Sequence, residues 1–296
     1  MTKILGTWQK VLLVLLICDL GTMIIFPNGL YRTLYNINWF LGYKTQRFVY
    51  YLPLCLISTF LSKKNGKTGL SSYAIILACV LGLYKSKATA ALACIAFIGL
   101  CCFILDMKGK FSHSKKILYK ILNYKIFIPV FGIIAYLLVV VQDSAFLQYI
   151  VQNLFKKDAT LTTRTKVWNI ATQEVMKTPI LGKGLLTTKQ YSQMFLNDYA
   201  TSAHNMYLSI LITSGLVGMI IYAAAMIAAL RRKDGVYQDN EVIMVFGIMA
   251  CLIVGMTSST VVFSSFAFLP FMVLASGRPQ KKTAPKRMLS PVYKRA

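Results

Sequence analysis

Apolar residues in this chain run in long blocks that are separated by shorter polar segments. A helix needs about 20 mainly apolar residues to cross a bilayer, and most of the blocks approach that length. They lie at residues 9–26, 48–61, 69–84, 88–105, 126–142, 207–230, 242–257 and 259–275. The pattern predicts an all-α integral membrane protein, a single polytopic domain over residues 1–296 with about eight transmembrane helices.

The longest polar interruption, residues 143–206, predicts one long loop on one side of the membrane. Apolar residues recur at helical spacing between residues 164 and 177, which predicts an amphipathic helix. Its apolar stripe holds Val167, Trp168, Ala171 and Val175. Arg164 and Trp168 are four residues apart and therefore lie on the same face. One interpretation is that Trp168 anchors this helix at the membrane interface while Arg164 reaches lipid phosphates.

Pro179, Gly182 and Gly184 follow this helix closely. Proline ends a helix, and glycine accepts backbone angles that other residues avoid. The spacing predicts a tight bend that brings backbone N–H groups close to a ligand.

Composition and charge agree with a membrane protein, since 56% of the residues are hydrophobic and only 14% are charged. The net charge of +24 invites a nucleic-acid interpretation, but the positions of the charges indicate the positive-inside bias. Most lysines and arginines lie in the alternate segments 1–8, 62–68, 106–125, 231–241 and 276–296. This distribution predicts cytoplasmic termini, a basic cytoplasmic tail at 276–296, an extracytoplasmic loop at 143–206 and no nucleic-acid partner.

His204 ends the long loop just where the apolar block 207–230 begins. We expect Thr201 or Ser202 to cap the following helix, which leaves His204 and Asn205 in its first turn. The partial positive charge of a helix N-terminus disfavours the imidazolium, so His204 is expected to be neutral and able to accept a proton.

Arg164, Lys183 and Lys189 add positive charge to the same loop, so the region is expected to bind an anionic group. A neutral base beside such a surface fits glycosyl transfer from a lipid diphosphate to a sugar hydroxyl. The hydroxyl needs a base, and the leaving diphosphate needs charge neutralisation. The expected outer loops hold no clustered carboxylates, so neither a metal ion nor a cofactor is expected. The alternative is a purely structural histidine.

Several motifs together resemble the signature of the O-antigen polymerase and ligase superfamily, the Wzy type. They are Arg164-x3-Trp168, Pro179-x2-Gly182-x-Gly184, and His204-Asn205-x-Tyr207 followed by Ser214-Gly215-Leu216-x-Gly218. Ser86-Lys87-Ala88 is similar to a Ser-Arg pattern that the family carries at the outer start of an earlier span, with lysine in place of arginine. The resemblance covers a motif-bearing core at residues 80–230.

The resemblance implies a GT-C-like membrane glycosyltransferase of the bacterial plasma membrane, with its active site on the extracytoplasmic face. Its substrate would be an undecaprenyl-diphosphate-linked oligosaccharide. A chain-length regulator or flippase of the same pathway would be a further partner. Residue by residue, His204 corresponds to the family's base and Arg164 to the arginine that grips the diphosphate.

Lys87 and Lys183 are further candidates for diphosphate binding. Lysine keeps the charge of the family's arginine at position 87 but loses its bidentate geometry. An alternative for Lys87 is a cation that merely ends a helix beside Lys85. Supporting roles are expected for Asn205, Trp168, Gly182 and Gly184.

The expected reaction is polymerisation of lipid-linked repeat units into a capsular polysaccharide, an exopolysaccharide or an O-antigen. A ligase of the same family, which moves glycan onto a lipid, cell-wall or protein acceptor, is the alternative, because both share the donor chemistry. A second alternative is a non-enzymatic transporter of lipid-linked sugars. Charged residues inside spans would favour it, and Asp19 is the clearest acidic one.

Overall fold

The structure is a computed structural model that describes residues 2–33, 36–43, 45–64, 66–107, 122–140, 160–198, 200–231, 239–258 and 269–276. Within these residues the chain forms ten helices and one antiparallel hairpin, in which Tyr31 pairs with Asn38. In chain order the elements are α1 (Thr2–Ile25), β1 (Tyr31–Arg32), β2 (Ile37–Asn38), α2 (Gln46–Lys64), α3 (Leu70–Lys85), α4 (Thr89–Asp106), α5 (Tyr124–Val140), α6 (Thr160–Lys177), α7 (Thr188–Met194), α8 (Met206–Leu230), α9 (Asp239–Gly255) and α10 (Leu269–Ser276).

Three of the described helices, α1, α4 and α8, are long and apolar enough to cross a membrane. The apolar helices α3 and α5 and the segment Glu241–Gly255 of α9 are shorter. Seven of the apolar blocks coincide with described helices, and most boundaries agree within about three residues; α1 begins seven residues before its block. Residues 259–268 of the last block lie outside the described residues. The chain is therefore a mainly helical membrane protein, and about eight spans remains a prediction.

α2 lies at the centre of the bundle, between α1, α3 and α9, and α4 packs against α3 and α9. Every side chain of α2 from residue 51 to residue 60 is buried. A helix that is surrounded on all sides has no need of a polar face. The apolar run in α2 therefore follows from its central position.

A fully buried ion pair joins α1, α2 and the segment after the hairpin. The Asp19 carboxylate accepts hydrogen bonds from Arg47 Nε at 2.8 Å and from the Tyr51 hydroxyl at 2.7 Å. It also accepts one from the Leu41 N–H at 2.9 Å. Arg47 in turn lies over the Trp39 ring, 5.0 Å from its centroid. Charges taken out of water need such partners on most of their polar atoms. These partners account for a carboxylate inside a span, so the presence of Asp19 gives little support to a transporter.

A second polar cluster lies at the opposite end of the bundle. Asp106, the last residue of α4, accepts hydrogen bonds from Lys63 Nζ at 2.7 Å and from the Tyr73 hydroxyl at 2.8 Å. It also accepts from the Thr68 N–H in the turn between α2 and α3. Since α2, α3 and α4 alternate in direction, the α3–α4 turn and the start of α2 share the other end. We call this other end the outer end, after the orientation that the charge bias of the sequence predicts.

Candidate active site at the outer end of the bundle

The apolar stripe of α6 packs against protein. Val167, Trp168 and Ala171 are buried in a small core together with Tyr191, Phe195 and the start of α8. Trp168 Nε1 donates a hydrogen bond to the Ala203 carbonyl at 3.0 Å. Trp168 is only 3% exposed, so it is not the interfacial anchor that one interpretation of the sequence suggested. It ties α6 to the residue that precedes His204.

The N-cap of α8 is Asn205, and not Thr201 or Ser202 as the sequence suggested. The Asn205 Oδ1 accepts hydrogen bonds from the N–H groups of Tyr207 at 2.9 Å and Leu208 at 3.1 Å. Its Nδ2 donates to the Met256 carbonyl just beyond α9 at 3.1 Å. An asparagine with extended backbone angles is among the best N-caps. His204 therefore precedes the helix instead of lying in its first turn, and two N–H groups of the helix end already have an acceptor.

His204 has an unusual backbone. Its φ angle is +50°, in the left-handed region that side chains other than glycine rarely adopt. The bonds to Ala203 and Asn205 fix the chain on both sides of it, so the protein holds this conformation from two helices. Backbone strain of this kind is concentrated at functional sites.

The neutral imidazole is favoured, although for a different reason from the one the sequence suggested. Burial lowers the pKa of His204 below its usual value, and the positive charge of Arg164 lowers it further. The geometry agrees with this effect, because the face of α6 that carries Arg164 is tied through Trp168 to Ala203, the neighbour of His204. A half-buried neutral imidazole beside a guanidinium is able to accept a proton and stays neutral at lower pH than a free histidine.

Arg164 lies on the first turns of α6, one turn before Trp168, and the Trp168 bond brings this face of α6 towards His204. Burial lowers the pKa of Arg164. Tyr43, which lies between the hairpin and α2, partly offsets this by raising the pKa of Arg164. No carboxylate pairs with Arg164 among the residues that the structure describes. Arg164 is therefore a half-buried cation whose charge is not balanced by any carboxylate that the structure describes.

Lys87 lies at the outer end, in the turn between α3 and α4. Its φ angle is +56°. Its N–H donates to the Tyr84 carbonyl at 3.0 Å and the following Ala88 N–H donates to Leu83 at 3.0 Å, which is the Schellman arrangement that usually ends in glycine. The side chain is exposed. The structure gives no contact between Lys87 and His204 or Arg164.

The bend at residues 178–186, between α6 and α7, fills a break in α8. Gly215 interrupts the helix, with φ +61° and ψ −160°. The Lys183 N–H of the bend donates a hydrogen bond to the Ile212 carbonyl at 2.7 Å, and the Gly184 N–H donates one to the Thr213 carbonyl at 2.9 Å. In return, the Pro179 carbonyl accepts a hydrogen bond from the Leu216 N–H, and the Ile180 carbonyl accepts one from the Val217 N–H.

The backbone groups of the bend are thus already used. Gly182 N–H donates within the bend to Thr178 at 3.1 Å, so the N–H groups of residues 182, 183 and 184 all have backbone acceptors. These N–H groups therefore hold the bend together and join it to α8, and the structure does not leave them free for a ligand as the sequence suggested. The side chain of Lys183 pairs with Glu174, which also pairs with Lys177 at 2.6 Å. These hydrogen bonds lower the pKa of Glu174.

Two residues near the site, Tyr43 and Arg47, were missed from the sequence. Arg47 and Asp19 carry opposite charges near the adjoining ends of two consecutive apolar blocks, and that pattern was a usable signal for a buried ion pair. Tyr43 lies in a short polar connection and carried no such signal. Among the described residues, no group of three or more histidine, cysteine, aspartate or glutamate side chains is placed to hold a metal ion.

Comparison with known proteins adds an independent observation. The family model described as O-antigen ligase matches residues 54–223, more than half of the chain, and this range includes Lys87, Arg164 and His204. The chain is 26% identical over 208 residues to the exopolysaccharide production protein ExoQ of Rhizobium meliloti (strain 1021). That alignment covers 66% of this chain and 46% of the relative, so the chain spans about half of the relative's length. No solved structure gives a significant match. The chain belongs to the O-antigen ligase family.

Proposed function

We propose that this protein is a membrane glycosyltransferase that polymerises lipid-linked oligosaccharide repeat units into an exopolysaccharide, a capsular polysaccharide or an O-antigen. The donor would be a glycan on undecaprenyl diphosphate, and the acceptor a sugar hydroxyl of the next unit. The observation that carries the proposal is a half-buried His204 whose neutral form is favoured by burial and by the charge of Arg164, a residue 40 positions away in the sequence.

In the proposed reaction His204 accepts the proton of the acceptor hydroxyl. The hydroxyl oxygen forms a bond to the anomeric carbon, and the bond from that carbon to the diphosphate oxygen breaks. Direct attack inverts the configuration at the anomeric carbon. The depressed pKa of His204 keeps the base unprotonated before the reaction, and Trp168 and Asn205 hold its backbone in place.

Arg164 would stabilise the diphosphate that leaves. Its guanidinium has no carboxylate partner among the described residues, and its burial strengthens electrostatic attraction to an anion. Lys87, exposed at the same end of the bundle, is a second candidate for the diphosphate. Lys183 is a weaker candidate, because it would first have to leave Glu174.

The relative from Rhizobium meliloti is named for exopolysaccharide production, and this supports a polymer as the product. The family description, O-antigen ligase, supports the ligase alternative instead. Glycan analysis of a deletion strain separates the two. Single repeat units left on lipid indicate a polymerase, whereas long chains that remain unattached to their acceptor indicate a ligase.

The catalytic proposal is tested by His204→Asn in the full chain. Asparagine tolerates a positive φ angle better than most residues, so the variant is expected to fold, but it is no base near neutral pH. Chain lengthening should be lost while the amount of protein in the membrane is unchanged. Leu196→Asn is the matched control, because Leu196 also has a positive φ angle, +48°, and lies outside the site. Normal polymer from His204→Asn would refute the proposed role of His204.

A further inference from the structure

The bend between α6 and α7, residues 178–186, is largely apolar and mostly exposed. The side chains of Ile180, Leu181 and Leu185 have exposed fractions of 65%, 72% and 84%. Met176, at the end of α6, is 73% exposed. Large apolar side chains clustered on a surface mark a contact with lipid or with another protein. The residues around the bend indicate which of the two it contacts.

The bend continues an apolar surface of α8. Of the four α8 residues that hydrogen-bond to it, Ile212 and Thr213 are buried, whereas Leu216 and Val217 are exposed, as are Ile220 and Ile221 one turn further. Helix α8 is 25 residues long and apolar enough to cross a membrane. Its exposed apolar side chains therefore face lipid, and the bend lies beside that face.

The bend also reaches below the start of α8. Ile212, which accepts the hydrogen bond of Lys183, is six residues beyond Met206, or about 9 Å along an ideal helix. Half of a hydrocarbon core is about 15 Å thick. If α8 enters the hydrocarbon near Met206, a bend at this level on the side of α8 that faces lipid lies among acyl chains and not in the aqueous phase.

Irregular backbone is tolerated at membrane depth only where its polar groups have partners. The pairing of the bend with the break at Gly215 supplies them to both segments. Lys183 is the only charged residue between positions 178 and 186, and its side chain is neutralised by Glu174. The N–H groups of residues 178, 182, 183 and 184 thus have backbone acceptors, and the single charge of the segment is neutralised.

We propose that residues 178–186 form a re-entrant bend whose Ile180, Leu181 and Leu185 side chains contact the acyl chains of the outer membrane leaflet. The long loop between α5 and α8 is then only partly extracytoplasmic. The bend is an anchor that holds α6, and with it Arg164, at the depth of the membrane surface.

Spin labelling tests the depth of the bend. Cys18 is the one exposed cysteine of the chain, and the other six are buried, so Cys18→Ser provides the background. Leu181→Cys is labelled with a nitroxide in full-length protein in phospholipid vesicles. Collision rates are measured with oxygen, which concentrates in lipid, and with a water-soluble nickel chelate. Lys189→Cys, on α7, and Ile220→Cys, on α8, are the matched controls for water and lipid.

The oxygen-to-nickel ratio at Leu181 should be about tenfold above that at Lys189 and similar to that at Ile220, because a charged chelate is excluded from hydrocarbon. A ratio similar to that at Lys189 would place the bend in water and overturn the proposal. Low collision rates with both reagents would also overturn it, since a second copy or another protein would then cover the bend. Leu185→Cys repeats the measurement independently. None of these outcomes depends on catalytic activity.

Discussion

Gly182 and Gly184 offer a sharp comparison, because they share a motif and a positive φ angle but differ in their surroundings. Their φ angles are +68° and +79°. A Cβ atom at Gly182 would lie 2.6 Å from the backbone N of Ser214 and 2.6 Å from the carbonyl carbon of Thr213. At Gly184 nothing lies within 4 Å of the added atom. Alanine should therefore strain the backbone at both positions but separate the bend from α8 only at Gly182.

The expected magnitudes follow from these contacts. A left-handed alanine costs about 1–2 kcal/mol, and that is the whole expected effect of Gly184→Ala. Gly182→Ala should in addition weaken the four backbone hydrogen bonds between the bend and α8, at about 0.5–1.5 kcal/mol each, or about 2–6 kcal/mol together. By the scale of soluble domains, about 2–4 °C per kcal/mol, its Tm should fall at least about 4 °C further than that of Gly184→Ala.

The assay is thermal unfolding of the two purified variants in the same detergent, followed by size-exclusion fluorescence. Gly132→Ala, inside α5 with nothing within 4 Å of the added atom, serves as a third variant that should not lower the Tm. Equal losses for Gly182→Ala and Gly184→Ala would refute the inference that the bend fills the break in α8. Membrane insertion of each variant is checked separately, so that poor expression is not mistaken for lower stability.

Two further predictions concern the site itself. The neutral imidazole is the proposed active form, and the pKa of His204 is lowered. Polymerisation by the purified protein should therefore stay constant as the pH falls through the usual histidine value of 6.5 and decline only below it. A decline centred at or above pH 6.5 would contradict the assignment of His204 as the base. Lys87→Gly should raise the Tm by a few degrees, because it removes a strain of about 1–2 kcal/mol, and should lower activity if the ammonium binds diphosphate. Lys87→Arg is its control, since it keeps both charge and strain, and unchanged activity in Lys87→Gly would refute a role of the ammonium in binding diphosphate.

The buried Asp19–Arg47 pair connects the bundle to the site through the segment that contains Leu41 and Tyr43. Asp19 accepts the Leu41 N–H, and Tyr43, two residues on, acts on the pKa of Arg164 against the larger effect of burial. Both charged residues precede the part of the chain that the family model matches. Part of the protein that surrounds the site therefore lies outside the shared motifs.

Much of the architecture was predictable because transmembrane helices obey a local rule. An apolar run of the right length forms a helix in a bilayer whatever its neighbours, since its backbone has no other partner. The positions of α2, α3, α4 and α8 followed from this rule to within three residues. The amphipathic helix was located in the same way, although α6 begins at Thr160, four residues before the predicted start.

The errors share a physical cause. The capping of α8, the burial of Trp168 and the use of the N–H groups around Gly182 all depend on residues that are distant in sequence. Asn205 was expected to play a supporting role, but its second partner is Met256, 51 residues away. Local patterns contain no information on such pairings.

The sequence by itself determined that the chain is a helical membrane protein, which motifs it carries, and that His204 and Arg164 were the residues to examine. Periodicity, charge bias and residue chemistry are local properties, and they suffice for this. Only the tertiary structure decided that Trp168 ties α6 to the residue before His204, that burial and the charge of Arg164 lower the pKa of the histidine, and that the glycine bend fills a broken helix. Proximity and desolvation arise only when distant segments pack together, so they could not be read from any one segment.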